Sequence, residues 1–363
     1  MSIFRKELAG LKEYVPGKPI EDVMREYGLT SIVKLASNEN PLGPSKKAIE
    51  AIKKEAENIH IYPDGAALEL RQKIADKNGL DMSQVLIGSG GEQILKLIAH
   101  TFVNEGDEVI FGAPSFALYD IMSSHIGAKC ISLPLTEDFK HDLKAFEKHI
   151  NGNTKIVYVC NPNNPTGNIM PKDELVDFIS RLPEHIVLML DEAYFEYAIH
   201  DPEYLNGLDI LKDRPNTIIL RTFSKVAGLA GLRIGYCFSS PEIIREMGKI
   251  KGVFNANRIG QAAALASLDD DEHIENTVVL NKKSLDMMKE FFKSHGMSYV
   301  ESHANFIFVD IKQSSRQAYT ELQKRGVIIR PGFLWGFENY IRVSSGTIDQ
   351  TETFLNALES IIK

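Results

Sequence analysis

Apolar residues along this chain come in short, nearly unbroken runs, separated by stretches whose apolar positions recur at helical spacing. Val85-Leu-Ile-Gly88, Glu108-Val-Ile-Phe111, Lys129-Cys-Ile-Ser-Leu133, Lys155-Ile-Val-Tyr-Val-Cys160, Ile186-Val-Leu-Met-Leu190, Thr217-Ile-Ile-Leu220 and Arg233-Ile-Gly-Tyr-Cys-Phe238 each read as a strand. Helices are predicted between them over 93–102, 117–124, 142–149 and 173–181. Strands this apolar, alternating with helices, predict a largely parallel sheet covered on both faces. Upstream, helices are predicted over 45–57, with Ser45 as N-cap, and over 67–77. Before these, a polar first helix leads into Tyr14-Val-Pro-Gly-Lys-Pro19, whose prolines and glycine predict an extended arm. Beyond Pro241 the pattern is mainly helical to about Ser294. A short mixed segment follows, with strands near 306–309 and 340–343. The expected class is α/β: an arm over 1–33, a large domain over 34–250 and a smaller α+β domain over 251–363.

Composition narrows the function. Hydrophobic residues make up 44% and charged residues 25% of 363, as in ordinary globular proteins. A net charge of −8 argues against non-specific nucleic-acid binding, so an anionic substrate must be gripped by local arginines. Cys130, Cys160 and Cys237 are widely spaced, which suggests thiols in a reducing compartment rather than a disulfide framework. The ten histidines form no ligand-spaced cluster, so no metal is expected. No membrane-length apolar run or signal peptide is apparent, and the expected location is the cytoplasm.

Ligands of open α/β sheets collect at the carboxyl ends of strands. Gly88-Ser-Gly-Gly-Glu-Gln93 opens a helix, where backbone N–H groups can hold a phosphate; a plain tight turn is the equal alternative. It is not a dinucleotide fingerprint, because Gln93 stands where the last small residue belongs. Phe116 is placed either to stack on a flat ring or to fill the core. Asn161-Pro-Asn-Asn-Pro-Thr-Gly167 presents Asn164 from a loop fixed by prolines and a glycine. Asp191 ends an apolar strand, where it serves as a helix N-cap or as the partner of a protonated pyridine nitrogen. Lys225 follows another strand beside Thr222 and Ser224, with Arg233 close behind. Cations favour the neutral amine that forms a Schiff base, while hydroxyls and an arginine suit a phosphate. A solvated loop lysine is the bland alternative.

Together these pieces form an ordered set. With Ser37-Asn-Glu-Asn-Pro-Leu-Gly43, Tyr62-Pro-Asp64, Asn163-Asn-Pro-Thr-Gly167 and Thr222-Phe-Ser-Lys-Val-Ala-Gly-Leu-Ala-Gly-Leu-Arg-Ile-Gly-Tyr236, the chain resembles the class I/II, fold-type I pyridoxal-phosphate aminotransferases. Among them it is most similar to the histidinol-phosphate aminotransferases. Tyr14-Val-Pro-Gly-Lys18 and Ile341-Arg-Val-Ser-Ser-Gly346 extend the resemblance over nearly the whole chain.

The resemblance implies a role for each position. Lys225 is the Schiff-base lysine and proton carrier, and Asp191 holds the pyridine nitrogen. Asn164 and Tyr194 bond the phenolic oxygen. Phe116 stacks on the ring, where the family more often has Tyr. Gly91, Glu92, Thr222, Ser224 and Arg233 hold the cofactor phosphate, joined by Tyr62 from a second subunit of a homodimer. Arg330, Arg342, Tyr14 and Asn40 bind substrate. The implied reaction exchanges an amino group between histidinol phosphate and 2-oxoglutarate. Same-fold rivals are an aromatic-amino-acid aminotransferase and a threonine-phosphate decarboxylase. A non-catalytic cofactor-binding regulator is disfavoured, because about thirty residues precede the Ser37-Asn-Glu-Asn40 turn, too few for a helix-turn-helix domain.

Overall fold

The computed structural model describes residues 3–8, 11 and 17–362. A short strand, β1 (Val33–Lys34), precedes the central sheet. That sheet comprises β2 (Val85–Gly88), β3 (Glu108–Ala113), β4 (Lys129–Pro134), β5 (Thr154–Cys160), β6 (Val187–Asp191), β7 (Thr217–Thr222) and β8 (Gly235–Phe238). Their spatial order is β2-β8-β7-β6-β5-β3-β4. Every residue of β2, β6, β7 and β8 is buried, as unbroken apolar runs require, whereas β4 at the sheet edge is largely open.

Pairing is parallel from β4 through β7. β8 is the reversed strand, antiparallel to both β7 and β2. A parallel return needs a crossover long enough to span the sheet. The connection from Thr222 to Gly235 contains only a single 3-10 turn, Ala230–Leu232, so the chain doubles back. The strand predicted to start at Arg233 therefore starts at Gly235. Arg233 itself adopts a left-handed φ of 55° as the turn closes.

Helices cover both faces. Gly90–Phe102, Leu118–Ser124 and Pro241–Ile250 pack on one side, while Lys172–Arg181 contributes to the apolar cluster on the other. The helix expected from Gln93 begins at Gly90, because glycines carry no apolar side chain to register in the periodicity. Ser45 caps Lys46–Glu55 as expected, its hydroxyl accepting from Ala48 N–H at 3.1 Å. Ile20–Tyr27, inside the predicted arm, is helical and ends at Gly28 with φ 67°.

A second sheet contains β9 (Tyr299–Val300), β10 (Phe306–Asp310), β12 (Arg330–Pro331) and β13 (Tyr340–Ser344), in the antiparallel order β12-β13-β10-β9. Between them β11 (Val327–Ile328) pairs in parallel with β1, so the Lys34–Asn38 segment is tied to the C-terminal part of the chain. Leu285, Met288 and Phe292 from Asp271–Ser294 and Phe354 from Ile348–Glu359 complete this core. Among the described residues no helix is long and apolar enough to cross a membrane.

The chain steps outward from β3 to β4 and then returns to β5 on the other side of β3. Such a reversal leaves a crevice at the strands' carboxyl ends. Here it opens beside the second sheet.

Candidate active site

A cleft of about 1260 Å³ lies over the carboxyl ends of β3, β5, β6 and β7, and the side chains singled out from strand ends line it. One end suits an anion. Gly91 and Glu92 stand in the first turn of the helix Gly90–Phe102, where N–H groups lack intrahelical partners. Glu92 is exposed, so its backbone is the part that can serve. Gly90 has φ 74°, and a Cβ there would come within 2.6 Å of Arg233 Nη2. Glycine thus lets the guanidinium lie against the helix start. Gly235 performs the same service for β8: a Cβ on it would meet the Gly90 carbonyl carbon at 2.8 Å. Thr222 and Ser224 line the same end, with Thr222 Oγ1 accepting from Ser224 N–H at 3.0 Å.

The middle of the cleft holds a buried acid. Asp191 is 3% exposed and forms no ion pair among the described residues. Its Oδ2 accepts from Tyr119 Oη at 2.7 Å and its Oδ1 from Ala193 N–H at 3.0 Å. Burial raises its pKa to about 6, opposed by the Tyr119 hydrogen bond. The N-cap alternative is set aside, since the next helix, Phe195–Ala198, has Tyr194 at its N-cap position. An unpaired carboxylate in such a place calls for a cation.

Lys225 donates to the Ser37 carbonyl at 3.1 Å. Burial lowers its pKa to about 8, and the Arg342 and Arg233 charges push in the same direction. The amine is therefore far closer to its neutral form than a solvated loop lysine. Asn164 Oδ1 accepts from Arg342 Nη1 at 2.5 Å, and Arg342 Nη2 donates to the Ala36 carbonyl at 2.6 Å. Phe116 lines the cleft edge-on to Tyr119, with ring centroids 5.8 Å apart.

At the far end the register of β12 against β13 sets Arg330 directly opposite Arg342. Both arginines line the cleft here, and two guanidinium groups side by side suit an anionic group of a substrate. Trp335, the chain's one tryptophan, also lines this end, its ring centroid 5.4 Å from Arg342 Cζ. A flat ring with a protonatable nitrogen, a phosphate and an aldehyde are the features of the implied pyridoxal phosphate. Each finds a complementary group here: Phe116 and Asp191, the Gly90–Arg233 corner, and Lys225.

Two expected residues stand elsewhere among the described ones. Asn40 does not reach the cleft: its amide donates to Val226 O at 2.7 Å and Thr277 Oγ1 at 3.0 Å, clasping the Lys225 loop from behind. Tyr62 is 75% exposed, stacks on Phe254 at 4.5 Å and stays out of its own chain's cleft. Tyr14 lies outside the described residues. Conversely, Asn38, Tyr119 and Trp335 escaped the sequence reading. Asn38 sits two positions from Asn40 in the same motif, and Tyr119 looks like a core residue of its helix.

Residues 30–358 match the family model described as aminotransferase class I and II. The chain is 43% identical to a histidinol-phosphate aminotransferase of Caldicellulosiruptor saccharolyticus, over 99% of this chain and all of that one. Identity is also 43% to the Moorella thermoacetica protein of that name, covering 99% and 92%. The crystal structure of histidinol-phosphate aminotransferase from Sinorhizobium meliloti, in complex with pyridoxal-5'-phosphate, superposes with a TM-score of 0.90. Identity to it is 29%, over 100% of this chain and 98% of that one.

Proposed function

The chain belongs to the aminotransferase class I and II family and, within it, to the histidinol-phosphate aminotransferases; from that premise we propose how its cleft carries out the reaction. L-Histidinol phosphate gives its amino group to 2-oxoglutarate, leaving imidazole-acetol phosphate and glutamate. The observation that supports this reading is that one cleft holds both Lys225 and the buried Asp191, with Arg233 at one end and Arg330 and Arg342 at the other.

Bound pyridoxal phosphate supplies an electron sink for the pair left when the Cα–H bond of an amine breaks. Asp191 would hold its ring nitrogen, Phe116 one face, and Asn164 and Tyr194 its phenolic oxygen. The N–H groups of Gly91 and Glu92, with Thr222, Ser224 and Arg233, would hold its phosphate. Lys225 Nζ, neutral in an appreciable fraction near pH 8, receives the α-proton of the amine. Arg330 and Arg342 orient the substrate's anionic group. Guanidinium suits both half-reactions because its planar fork binds a phosphate or a carboxylate bidentately.

The active unit in this reading is a homodimer. Ile59, Ile61, Tyr62, Val253 and Phe254 are exposed, and Gly65 abuts the Val253 carbonyl, so these apolar side chains share one surface. Tyr62 of the partner subunit would complete the phosphate site. Three cysteines without disulfides support a reducing compartment such as the cytoplasm. The reaction is tested by product analysis with purified holoenzyme. Glutamate and imidazole-acetol phosphate should form one for one, only when 2-oxoglutarate is present. CO2 release from threonine phosphate instead would identify a decarboxylase.

A further inference from the structure

We propose that Asn38 is a positioning residue that turns the single proton of the Tyr194 hydroxyl into the cleft. Asn38 is 2% exposed and holds a left-handed φ of 56°. Asn accepts that conformation more readily than other non-glycine residues, though still with strain, and such strain gathers at functional sites. Four hydrogen bonds hold it there. Its backbone N–H donates to Ser344 Oγ at 2.9 Å, and the Ser344 hydroxyl donates back to Asn38 Oδ1 at 2.9 Å. Asn305 Nδ2 donates to the Asn38 carbonyl at 2.9 Å. With Oδ1 committed to Ser344, the amide presents Nδ2 to the Tyr194 oxygen, at 2.8 Å.

A phenol has one proton to give. Because Asn38 donates to Tyr194, the phenolic oxygen accepts on that side and its proton must be given elsewhere. Tyr194 lines the cleft, with Lys225 Nζ 5.8 Å from its ring centroid. Burial pushes the phenol's pKa up, so the proton is retained. Asn38 also belongs to the segment whose carbonyls at Ala36 and Ser37 receive Arg342 and Lys225. One short strap therefore orients three groups of the site. Sequence offers no hint of this, since Tyr194 and Ser344 lie far away along the chain.

The inference rests on reading this cleft as the pyridoxal-phosphate site. A hydrogen bond donated to the cofactor's phenolic oxygen favours the anionic oxygen, so losing it raises the pH at which the holoenzyme's visible absorbance titrates. Asn38→Gly keeps the backbone conformation and removes the amide. Its absorbance midpoint should rise by about one pH unit relative to the parent, in the direction of Tyr194→Phe. In a Tyr194→Phe background the same change should move the midpoint by less than about a third of that. An unmoved midpoint in Asn38→Gly, or an equal shift in both backgrounds, overturns the proposal. Should Asn38→Gly not fold, Ser344→Ala frees the amide to turn and should shift the midpoint upward with Tyr194 present but not without it. Equal behaviour in the two backgrounds again overturns it. A parent protein that develops no visible band with the cofactor would instead refute the cofactor reading itself.

Discussion

At the scale of single residues, the proposed chemistry rests on two groups moved from their ordinary ionisation in opposite directions. Lys225 is lowered to about 8, so apoprotein should capture a pyridine aldehyde with a rate that rises through pH 8 and then levels. A rate still climbing at pH 10 would show an ordinary lysine. Lys225→Ala should bind cofactor without the visible band, and turnover should collapse. Asp191 is raised from 3.8 to about 6, so the folded apoprotein binds more protons than the unfolded chain between those values. Its contribution to stability therefore falls as pH rises through that window. Roughly two units, at about 1.4 kcal/mol each, imply a penalty on the order of 3 kcal/mol at neutral pH. Asp191→Asn should accordingly leave the apoprotein at least as resistant to urea at pH 7, while lowering the holoenzyme's rate by orders of magnitude. A variant less stable than the parent at pH 7 and still active would return Asp191 to a structural role. Asp191 ends an apolar strand and Lys225 lies three residues beyond one, where a charge stands out in the sequence. Alternation along an irregular loop does not say which amide faces the cleft; in the structure Asn38 lines it, while Asn40 binds the Lys225 loop.

At the scale of elements, the proposed phosphate end depends on close approach of Arg233 to the start of the Gly90–Phe102 helix. Gly90→Ala would bring a Cβ to 2.6 Å from Arg233 Nη2 at φ 74°. Cofactor affinity should drop about tenfold or more, and stability by about 1–2 kcal/mol, readable by cofactor titration and urea melts. Near-parent values in both would show that Arg233 does not need that contact. The strands and most helices were legible because each buried run is longer than a turn and bounded by polar residues. What was missed has a common cause. The start of the helix at Gly90, the reversal at β8, and the pairing of Arg330 with Arg342 each depend on geometry beyond local periodicity. Short strands such as β11 and β12 exist only because partners lie beside them.

At the scale of the whole molecule, the proposed homodimer brings the exposed Tyr62 to the site of a second subunit. Heterodimers of a Tyr62→Phe chain with a Lys225→Ala chain should then contain one intact site and one lacking both groups. Cofactor titration should find one parent-like site per dimer; finding none would place Tyr62 in its own chain's site. The measurement closest to the central claim separates the two half-reactions. Histidinol phosphate added to holoenzyme without any oxo acid should abolish the visible band and release one imidazole-acetol phosphate per site. Subsequent 2-oxoglutarate should restore the band and yield one glutamate per site. An unchanged band with histidinol phosphate, alongside rapid bleaching by phenylalanine or tyrosine, would contradict the account.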